Sequence, residues 1–385
     1  MLFSLYDPSV PQEEFFSPEF LRQLQANLGP TVAPALLALV VAAVLTAVAV
    51  RVAPRLGFLA HPERERDIHT RPTPRLGGPA LYLGFATAGF VFLPHDLKHL
   101  GVLLLTGATA FTFLVDDRRQ IAAGVKLGIQ VAVAVLAVAV FGYEIDYLYL
   151  PLLHIADLGP FVLPLSVLWI LGMQNSINLL DGVDGLAAGV VGIVALLLLV
   201  AAASRPEQGQ VLVLAAALAG SCAGFLLFNF HPARIFMGDS GSQFLGLALA
   251  LLSVIGVAKV AVAAALLVPV LALAIPIADT GLAILRRRRQ RVSIAQADSR
   301  HIHHRLLNFG LTQVQTCLLF YCATGILGSL GLMIFGHRRI AAVAIVLMIA
   351  VLSTALGERL RVSRRRVPVP FGRVVRLLLE GRPAP

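Results

Sequence analysis

Aspartate residues cluster in the short polar segments that adjoin long apolar stretches of this sequence. Five of them stand where they could act together: Asp116, Asp117, Asp181, Asp184 and Asp239. A carboxylate beside an apolar stretch of membrane length is energetically costly, so the default interpretation is a functional site. Carboxylates suit Mg²⁺, or Mn²⁺ as an alternative ion, and Mg²⁺ binds few of them together with water and phosphate oxygens. The pattern predicts a divalent-metal site.

One segment spaces its polar residues regularly. Asn175, Asn178, Asp181 and Asp184 recur at every third position, which places them on one side of a helical or 3₁₀-like turn. Gly185 would let a ligand approach the backbone closely. The candidates to hold or surround the metal ion are Asn178, Asp181, Asp184 and Asp239.

Structural roles are open for the same aspartates. Asp184 could cap the start of a helix, and Asp239 or Ser240 could cap another. The pair Asp116-Asp117 could be a solvated helix end, neutralised by the two arginines that follow it. Because four acidic segments are expected at one membrane face, a functional site remains the better joint interpretation.

A histidine-rich segment follows at His301-Ile-His303-His304-Arg305. In a helix, His301 and His304 would share a face with Arg305 close by. Such a cationic, donor-rich arm could bind phosphate or sugar oxygens. A zinc site and ordinary surface histidines are the alternatives. A second loop, Arg71–Gly78, combines prolines with paired glycines ahead of a helix, where a phosphate could bind.

Composition shows which elements must position these residues. Hydrophobic residues make up 58% of the 385-residue chain and charged residues 14%, which is too little polar surface for soluble domains. The sequence predicts an all-α, polytopic membrane protein. Eleven apolar stretches of roughly membrane length are 31–53, 77–93, 99–115, 125–142, 160–176, 185–203, 209–230, 241–257, 258–285, 314–335 and 340–357.

Basic residues predict the orientation of these stretches. The loops on one side hold 24 Lys and Arg residues and those on the other hold 6, so the N-terminus is expected outside and the C-terminus in the cytoplasm. The net charge of +10 is explained by this asymmetry, and a nucleic-acid partner is not expected. We expect an extracytoplasmic segment 1–30, a membrane domain 31–357 with cytoplasmic active-site loops, and a basic tail 358–385.

Five segments resemble, in order, motifs of the polyprenyl-phosphate N-acetylhexosamine-1-phosphate transferases of bacterial envelope synthesis, a group of glycosyltransferase family 4 type. The resemblance covers about residues 67–310, and the segments are Arg71–Gly78, Val115–Asp117, Asn175–Ala187, Asn229–Gly241 and Asp298–Leu307. The histidine arm looks like that of the undecaprenyl-phosphate N-acetylglucosamine-1-phosphate transferases. The eleven-span topology is also similar to that of the family.

The resemblance implies a Mg²⁺-dependent reaction at the cytoplasmic face of the bacterial inner membrane. N-acetylglucosamine-1-phosphate would pass from UDP-N-acetylglucosamine to polyprenyl (undecaprenyl) phosphate, releasing UMP and initiating envelope glycan synthesis. Another UDP-N-acetylamino sugar or UDP-N-acetylmuramoyl-pentapeptide is the alternative donor. A membrane transporter is the alternative class of protein. Homodimerisation is an expectation from the family alone.

The resemblance also implies residue roles. Asp116 and Asp117 would engage or deprotonate the lipid phosphate, with Asp181 and Asp184 among the catalytic carboxylates. Asp239 and Asn178 would bind the metal. The predicted nucleotide contacts are Asp184, Gly185, Leu186, Asn229, Phe236 and Lys126, of which Lys126 serves the diphosphate. The predicted sugar contacts are His301, His303, His304 and Arg305. Gln120 stands where the family commonly has Asp or Asn and is not expected to bind the metal.

One quantitative expectation concerns Asp117. If this residue acts as a base, asparagine in its place should lower turnover by at least about tenfold. Because that role is purely chemical, little loss of folded protein is expected.

Overall fold

The computed structural model describes residues 18–60, 72–119, 121–145, 158–203, 208–257, 312–334 and 342–351, together with single positions between 278 and 285. The helices are α1 (Pro18–Leu56), α2 (Gly77–Phe92), α3 (Leu97–Arg119), α4 (Ala123–Ala139), α5 (Val162–Leu180), α6 (Leu186–Ala203), α7 (Gly209–Asn229), α8 (Gly238–Val257), α9 (Gln313–Ile334) and α10 (Ala342–Val351). A 3₁₀ turn at Gly159–Phe161 precedes α5. Two short strands, β1 (Leu59–Ala60) and β2 (Thr73–Pro74), pair antiparallel.

These helices confirm an all-α, polytopic membrane protein. Seven helices in the described part of the chain are long and apolar enough to cross a membrane, and α2, α4 and α10 are shorter apolar helices. Ten of the eleven predicted spans each overlap one of the helices α1–α10. The ninth, 258–285, lies almost entirely outside the described residues, as do 1–17 and the tail 358–385.

The first helix differs from its prediction. The sequence predicts an extracytoplasmic segment 1–30 followed by a span over 31–53, whereas α1 runs unbroken for 39 residues with Pro30, Pro34 and Pro54 inside it. Each proline removes one backbone donor. Helix α1 continues through all three positions and packs against α7 and α2. The expected segment boundary at residue 30 is therefore not a helix boundary.

Glycines allow α1, α2 and α7 to approach one another closely. A Cβ atom on Gly220 would lie 2.1 Å from the Ala35 carbonyl oxygen, and one on Gly224 would lie 2.3 Å from that of Leu39. Gly84 of α2 meets α1 in the same way. Small residues spaced four apart permit such backbone contact between membrane helices, where packing rather than the hydrophobic effect drives association.

Helix α8 forms the centre of the bundle and is almost entirely buried. It packs against α3 on one side and α5 on another. Polar bridges fix its position: Trp169 Nε1 donates to Ser253 Oγ over 2.9 Å, and Gln130 Nε2 of α4 donates to Gln243 Oε1 over 2.8 Å. Because successive helices alternate in direction, the starts of α2, α4, α6 and α8 meet the ends of α3, α5 and α7 at one end of the bundle.

Candidate active site

Asp239 lies in the first turn of α8, at the end of the bundle where those helix termini meet. Its Oδ1 is 2.9 Å from an Arg75 terminal nitrogen, and its Oδ2 is 2.7 Å from Lys126 Nζ. About a fifth of the side chain remains exposed. Both carboxylate oxygens therefore bind cationic groups, and neither caps α8.

Asp116 lies in the last turn of α3 and shares Lys126 with Asp239. Lys126 Nζ is 2.5 Å from Asp116 Oδ2, and the Ile121 amide donates to Asp116 Oδ1 over 2.6 Å. The Asp116 side chain is almost completely buried. It is thus an internal partner of Lys126, which contradicts the alternative of a solvated helix end.

Asp117 caps helix α8 from a different helix. Its carboxylate accepts hydrogen bonds from the amides of Asp239 at 2.7 Å and Ser240 at 3.1 Å. Arg75 Nε lies 3.1 Å from the same carboxylate, whose side chain is fully buried. A carboxylate at a helix N-terminus satisfies free amides and complements the helix dipole. Asp117 therefore takes the capping role that the sequence left open for Asp239 or Ser240.

Arg75 forms ion pairs with both Asp117 and Asp239. The sequence alone assigned Arg75 no role of its own. Its amide donates to the Phe58 carbonyl over 2.9 Å, directly beyond the β1–β2 pair. Phe236 and Pro74 join the two loops on the other side, since the Phe236 amide donates to the Pro74 carbonyl over 2.8 Å. Burial alone would lower the pKa of Arg75, but surrounding carboxylates raise it above its ordinary value. Arg75 is a permanent cation held in place by backbone contacts on both sides.

The same contacts bear on the predicted phosphate loop. The amides of Gly77 and Gly78, at the start of α2, donate to the carbonyls of Phe236 and Met237, each over 3.0 Å. These two amides are therefore engaged within the protein. What the loop supplies to the site is the guanidinium of Arg75.

Asn178 and Asp181 face the cluster from the end of α5. Asn178 Nδ2 donates to Ser242 Oγ over 2.9 Å. Among the described residues, neither Asn178 Oδ1 nor the Asp181 carboxylate has a hydrogen-bond partner. Part of Asp181 stays accessible. Desolvation nevertheless raises the pKa of Asp181 well above its ordinary value. Arg75 opposes this shift, whereas the carboxylates of Asp239 and Asp117 add to it. Both residues offer uncommitted oxygen ligands.

The ionised Asp181 is therefore expected to lower the free energy of unfolding of the ligand-free protein. Since its folded-state pKa is raised, the folded protein holds the proton more tightly than the unfolded chain, and stability falls as pH rises from the ordinary aspartate range through the raised value. Asp181→Asn should raise the thermal midpoint of the ligand-free protein above that window and lower turnover. Unfolding in detergent at several pH values measures the first effect. Equal midpoints at all pH values would contradict this prediction.

Asp184 is tied to the loop that follows α7. Its Oδ2 lies 2.8 Å from His231 Nδ1 and accepts the Ala233 amide over 3.1 Å. His231, about a third exposed, was not singled out by sequence. The pairing holds the α5–α6 turn against the 231–236 loop at the accessible rim of the cluster.

The predicted nucleotide contacts divide into buried and accessible residues. Asn229 is buried, and its amide binds the Gly185 N–H at 3.1 Å and the Ile235 carbonyl at 2.8 Å. The Leu186 side chain is fully buried. Gly185 adopts φ 79°, and its carbonyl accepts the Tyr321 hydroxyl over 2.6 Å. Phe236 is partly exposed. Asn229 and Leu186 thus hold the turn in shape, while the side chains of Asp184 and Phe236 are partly accessible.

Gly238 permits the contact between Asp117 and α8. Its φ is 71°, and an added Cβ would lie 2.5 Å from both Asp117 carboxylate oxygens. Gly238→Ala should destabilise the protein by at least about 1–2 kcal/mol from the left-handed backbone alone, and it should displace Asp239. Thermal unfolding tests this. Gly128→Ala is the matched control, because nothing lies within 4 Å of the Cβ position at Gly128; an equal loss in both variants would contradict the argument.

The donor set fits a divalent ion in charge and ligand chemistry. Four aspartates act on Arg75: Asp116, Asp117, Asp181 and Asp239. With Arg75 and Lys126 as the opposing cations, the cluster carries two excess negative charges when all groups are ionised. Within the described residues no three His, Cys, Asp or Glu side chains could hold a metal by themselves. Mg²⁺ commonly uses one or two carboxylates and completes its shell with water and phosphate.

Several predicted residues lie outside the described part of the chain. They are the arm residues His301, His303, His304 and Arg305, and also Gln120. Their roles stay predictions. The described residues bring together Asp116, Asp117, Lys126, Asn178, Asp181 and Asp239, with Asp184 at the rim.

Comparison with known proteins places the chain in a family. The family model of glycosyl transferase family 4 matches residues 99–257. The chain is 37% identical to a probable undecaprenyl-phosphate N-acetylglucosaminyl 1-phosphate transferase of Bacillus subtilis, over 70% of this chain and 75% of the relative. It is 35% identical to a decaprenyl-phosphate N-acetylglucosaminephosphotransferase of Mycobacterium leprae, over 82% and 86%. A phospho-N-acetylmuramoyl-pentapeptide-transferase of a Synechococcus species is 35% identical over 67% and 78%. These matches confirm the resemblance, and the chain belongs to glycosyl transferase family 4.

Proposed function

We propose that this chain transfers N-acetylglucosamine-1-phosphate from UDP-N-acetylglucosamine to a polyprenyl phosphate. The products are polyprenyl-diphosphate-N-acetylglucosamine and UMP. The observation that carries the proposal is the cluster in which Asp239 binds Arg75 and Lys126 at one end of a membrane bundle. The names of the Bacillus subtilis and Mycobacterium leprae relatives support the choice of sugar and lipid.

The chemistry demands a site of this kind. The nucleotide diphosphate and the lipid phosphate are both anions and repel each other, so they must be held together by fixed positive charge. Phosphoryl transfer depends on positioning and on neutralisation of developing charge. Arg75 and Lys126 supply two cations at the end of the bundle where Asp239 lies. About a third of the Arg75 side chain is exposed.

Mg²⁺ completes the proposed site, with Mn²⁺ as an alternative. Asp239 and Asn178 would hold it, and Asp181 offers a further uncommitted carboxylate beside them. When bound, the ion would neutralise the nucleotide diphosphate and make UMP a better leaving group. Asp239 already lies against two cations, so a metal ion bound to it would be repelled by both.

The other residues take roles that follow from their contacts. Lys126 is proposed to bind the nucleotide diphosphate, and Asp116 orients it. Asp117 is proposed to act on the lipid phosphate through Arg75, whose guanidinium it positions. Asp184 and Phe236 would contact uracil, with Gly185, Leu186 and Asn229 shaping that pocket. The histidine arm is proposed to lie over the sugar.

The membrane arrangement is part of the proposal. Eleven spans, an outer N-terminus and a cytoplasmic C-terminus would place the cluster at the cytoplasmic face of the bacterial inner membrane. The segment boundaries 1–30, 31–357 and 358–385 follow from the same topology. There the product would initiate envelope glycan synthesis. Homodimerisation stays a prediction.

The decisive experiment measures UMP release by the purified protein. UDP-N-acetylglucosamine should give UMP only when both undecaprenyl phosphate and Mg²⁺ are present. UDP-N-acetylmuramoyl-pentapeptide and other UDP-N-acetylamino sugars test the alternative donors, of which the first matches the name of the Synechococcus relative. Absence of lipid- and metal-dependent UMP with every donor would reject the transferase and leave the transporter alternative.

A further inference from the structure

Both carboxylate oxygens of Asp239 are occupied by side chains of this chain, Arg75 on Oδ1 and Lys126 on Oδ2. Each oxygen keeps a second lone pair, but a metal ion bound there would lie close to one of these cations and be repelled by it. We propose that Lys126 keeps the metal from binding Asp239 until the nucleotide arrives, so that metal and nucleotide bind as a coupled pair. This inference rests on the proposed function, since it concerns the same metal and nucleotide.

Lys126, and not Arg75, is the exchangeable partner. Arg75 is fixed by its amide contact with Phe58 and by a second ion pair, at 3.1 Å, with the buried carboxylate of Asp117. Lys126, in the first turn of α4, also has a second ion pair, with Asp116, which its Nζ can keep when it moves away from Asp239. A lysine ammonium is a compact charge on a flexible four-carbon stem, whereas a guanidinium binds in a fixed planar geometry. The flexible stem of Lys126 therefore makes it the easier of the two cations to move off Asp239.

The energetics make this displacement conditional. An ammonium that leaves Asp239 without a new anionic partner loses an ion pair in a partly buried site, where such contacts are weakly screened. A nucleotide diphosphate supplies the new partner, and its own oxygens also bind the metal. Bound nucleotide therefore reduces the free-energy cost of binding the metal, and bound metal reduces that of binding the nucleotide. By linkage, the nucleotide must raise the affinity for metal by the factor by which metal raises the affinity for nucleotide.

The test measures Mn²⁺ binding to the purified full-length protein by electron paramagnetic resonance of free Mn²⁺, with and without UDP, after correction for the Mn²⁺ that UDP binds in protein-free solution. UDP should raise the Mn²⁺ affinity of the unsubstituted protein by at least about tenfold, within the usual range of coupling between sites. Lys126→Met should raise Mn²⁺ affinity in the absence of UDP by a similar factor and reduce the effect of UDP. A substitution that damages the nucleotide site would thus improve metal binding.

Two control variants separate displacement from a general change in charge. Arg119→Met removes a positive charge from the end of α3, where Arg119 is exposed and has no ion pair among the described residues. It should leave Mn²⁺ affinity within about twofold, because exposed charges are largely screened at moderate salt. Lys126→Arg keeps the charge and should not raise metal affinity. Retention on gel filtration confirms that each variant is folded.

The outcomes distinguish this inference from the proposed function. The inference would be overturned if the unsubstituted protein bound Mn²⁺ equally well with and without UDP. It would also be overturned if Lys126→Met bound Mn²⁺ no more tightly than Arg119→Met. Neither result would affect the UMP assay. The first comparison needs no variant, so it decides the question even if Lys126→Met does not fold. Failure of the UMP assay with every donor would reject the function itself.

Discussion

Asp239→Asn should lower lipid-dependent UMP release by at least about a hundredfold, the loss typical when one preorganised electrostatic group is removed from an active site. Asp239 binds Arg75 and Lys126 and is the proposed metal ligand. An asparagine keeps the size of the side chain but removes the charge. The two cations would lose their common anion and the metal its principal ligand. Initial rates over a Mg²⁺ titration measure the effect.

The control for this variant is Asp96→Asn, at the opposite end of the bundle. Asp96 is exposed, and its contacts are with His99 in the first turn of α3. The substitution removes one carboxylate without touching the cluster, so UMP release should stay within about twofold, as expected for a surface site. Turnover near that of the unsubstituted protein in Asp239→Asn would show that the cluster is not the reaction centre.

The fold can be predicted from sequence where it depends on the length of the apolar stretches and on the alternating direction of successive helices. Spans 2 and 6, predicted as 77–93 and 185–203, correspond to helices Gly77–Phe92 and Leu186–Ala203. Apolar patterning does not reveal the continuity of α1 through Pro30 and Pro34. Helix α1 packs along α7 and α2, and composition does not specify such contacts. The pairing of β1 with β2 was also not predicted, since each strand has only two residues.

The convergence of the aspartates follows from the same alternation of helices. Asp117 ends α3 and Asp239 begins α8, so antiparallel packing brings them to one end of the bundle. Their direct contact links residues 122 positions apart, and that between Arg75 and Asp239 spans 164 positions. No local pattern encodes pairings of this separation. The signal at Arg75 was its position between Pro74 and Gly77, which indicates a rigid turn but no partner.

Asn229 has a structural role that its motif does not reveal. The resemblance places it near uracil, but its buried amide links Gly185 to Ile235. A buried amide must satisfy its hydrogen bonds, and here two backbone groups do so. Its effect on the nucleotide is therefore expected to pass through the shape of the 184–186 turn. Such a role is visible only once both backbone partners are in place.

Asp117→Asn should cost about 3 kcal/mol of stability in addition to activity, as expected when one partner of a buried ion pair loses its charge. The Asp117 carboxylate accepts two amides of α8 and binds Arg75. An asparagine offers one oxygen, so its NH₂ group must face either an α8 amide or the guanidinium, both of which are donors. This result differs from the expectation based on sequence alone, in which the folded protein is preserved.

The measurements that separate the two roles of Asp117 are the thermal midpoint in detergent and turnover per folded molecule. If Asp117 acts mainly by capping α8 and orienting Arg75, the midpoint should fall together with turnover. Asp117→Glu should not rescue either one, because the longer side chain meets the backbone at Gly238, where even a Cβ would lie 2.5 Å from the present carboxylate. An unchanged midpoint with tenfold lower turnover would instead assign Asp117 to the chemistry alone, since a carboxylate that is only a base can lose its charge without releasing a helix.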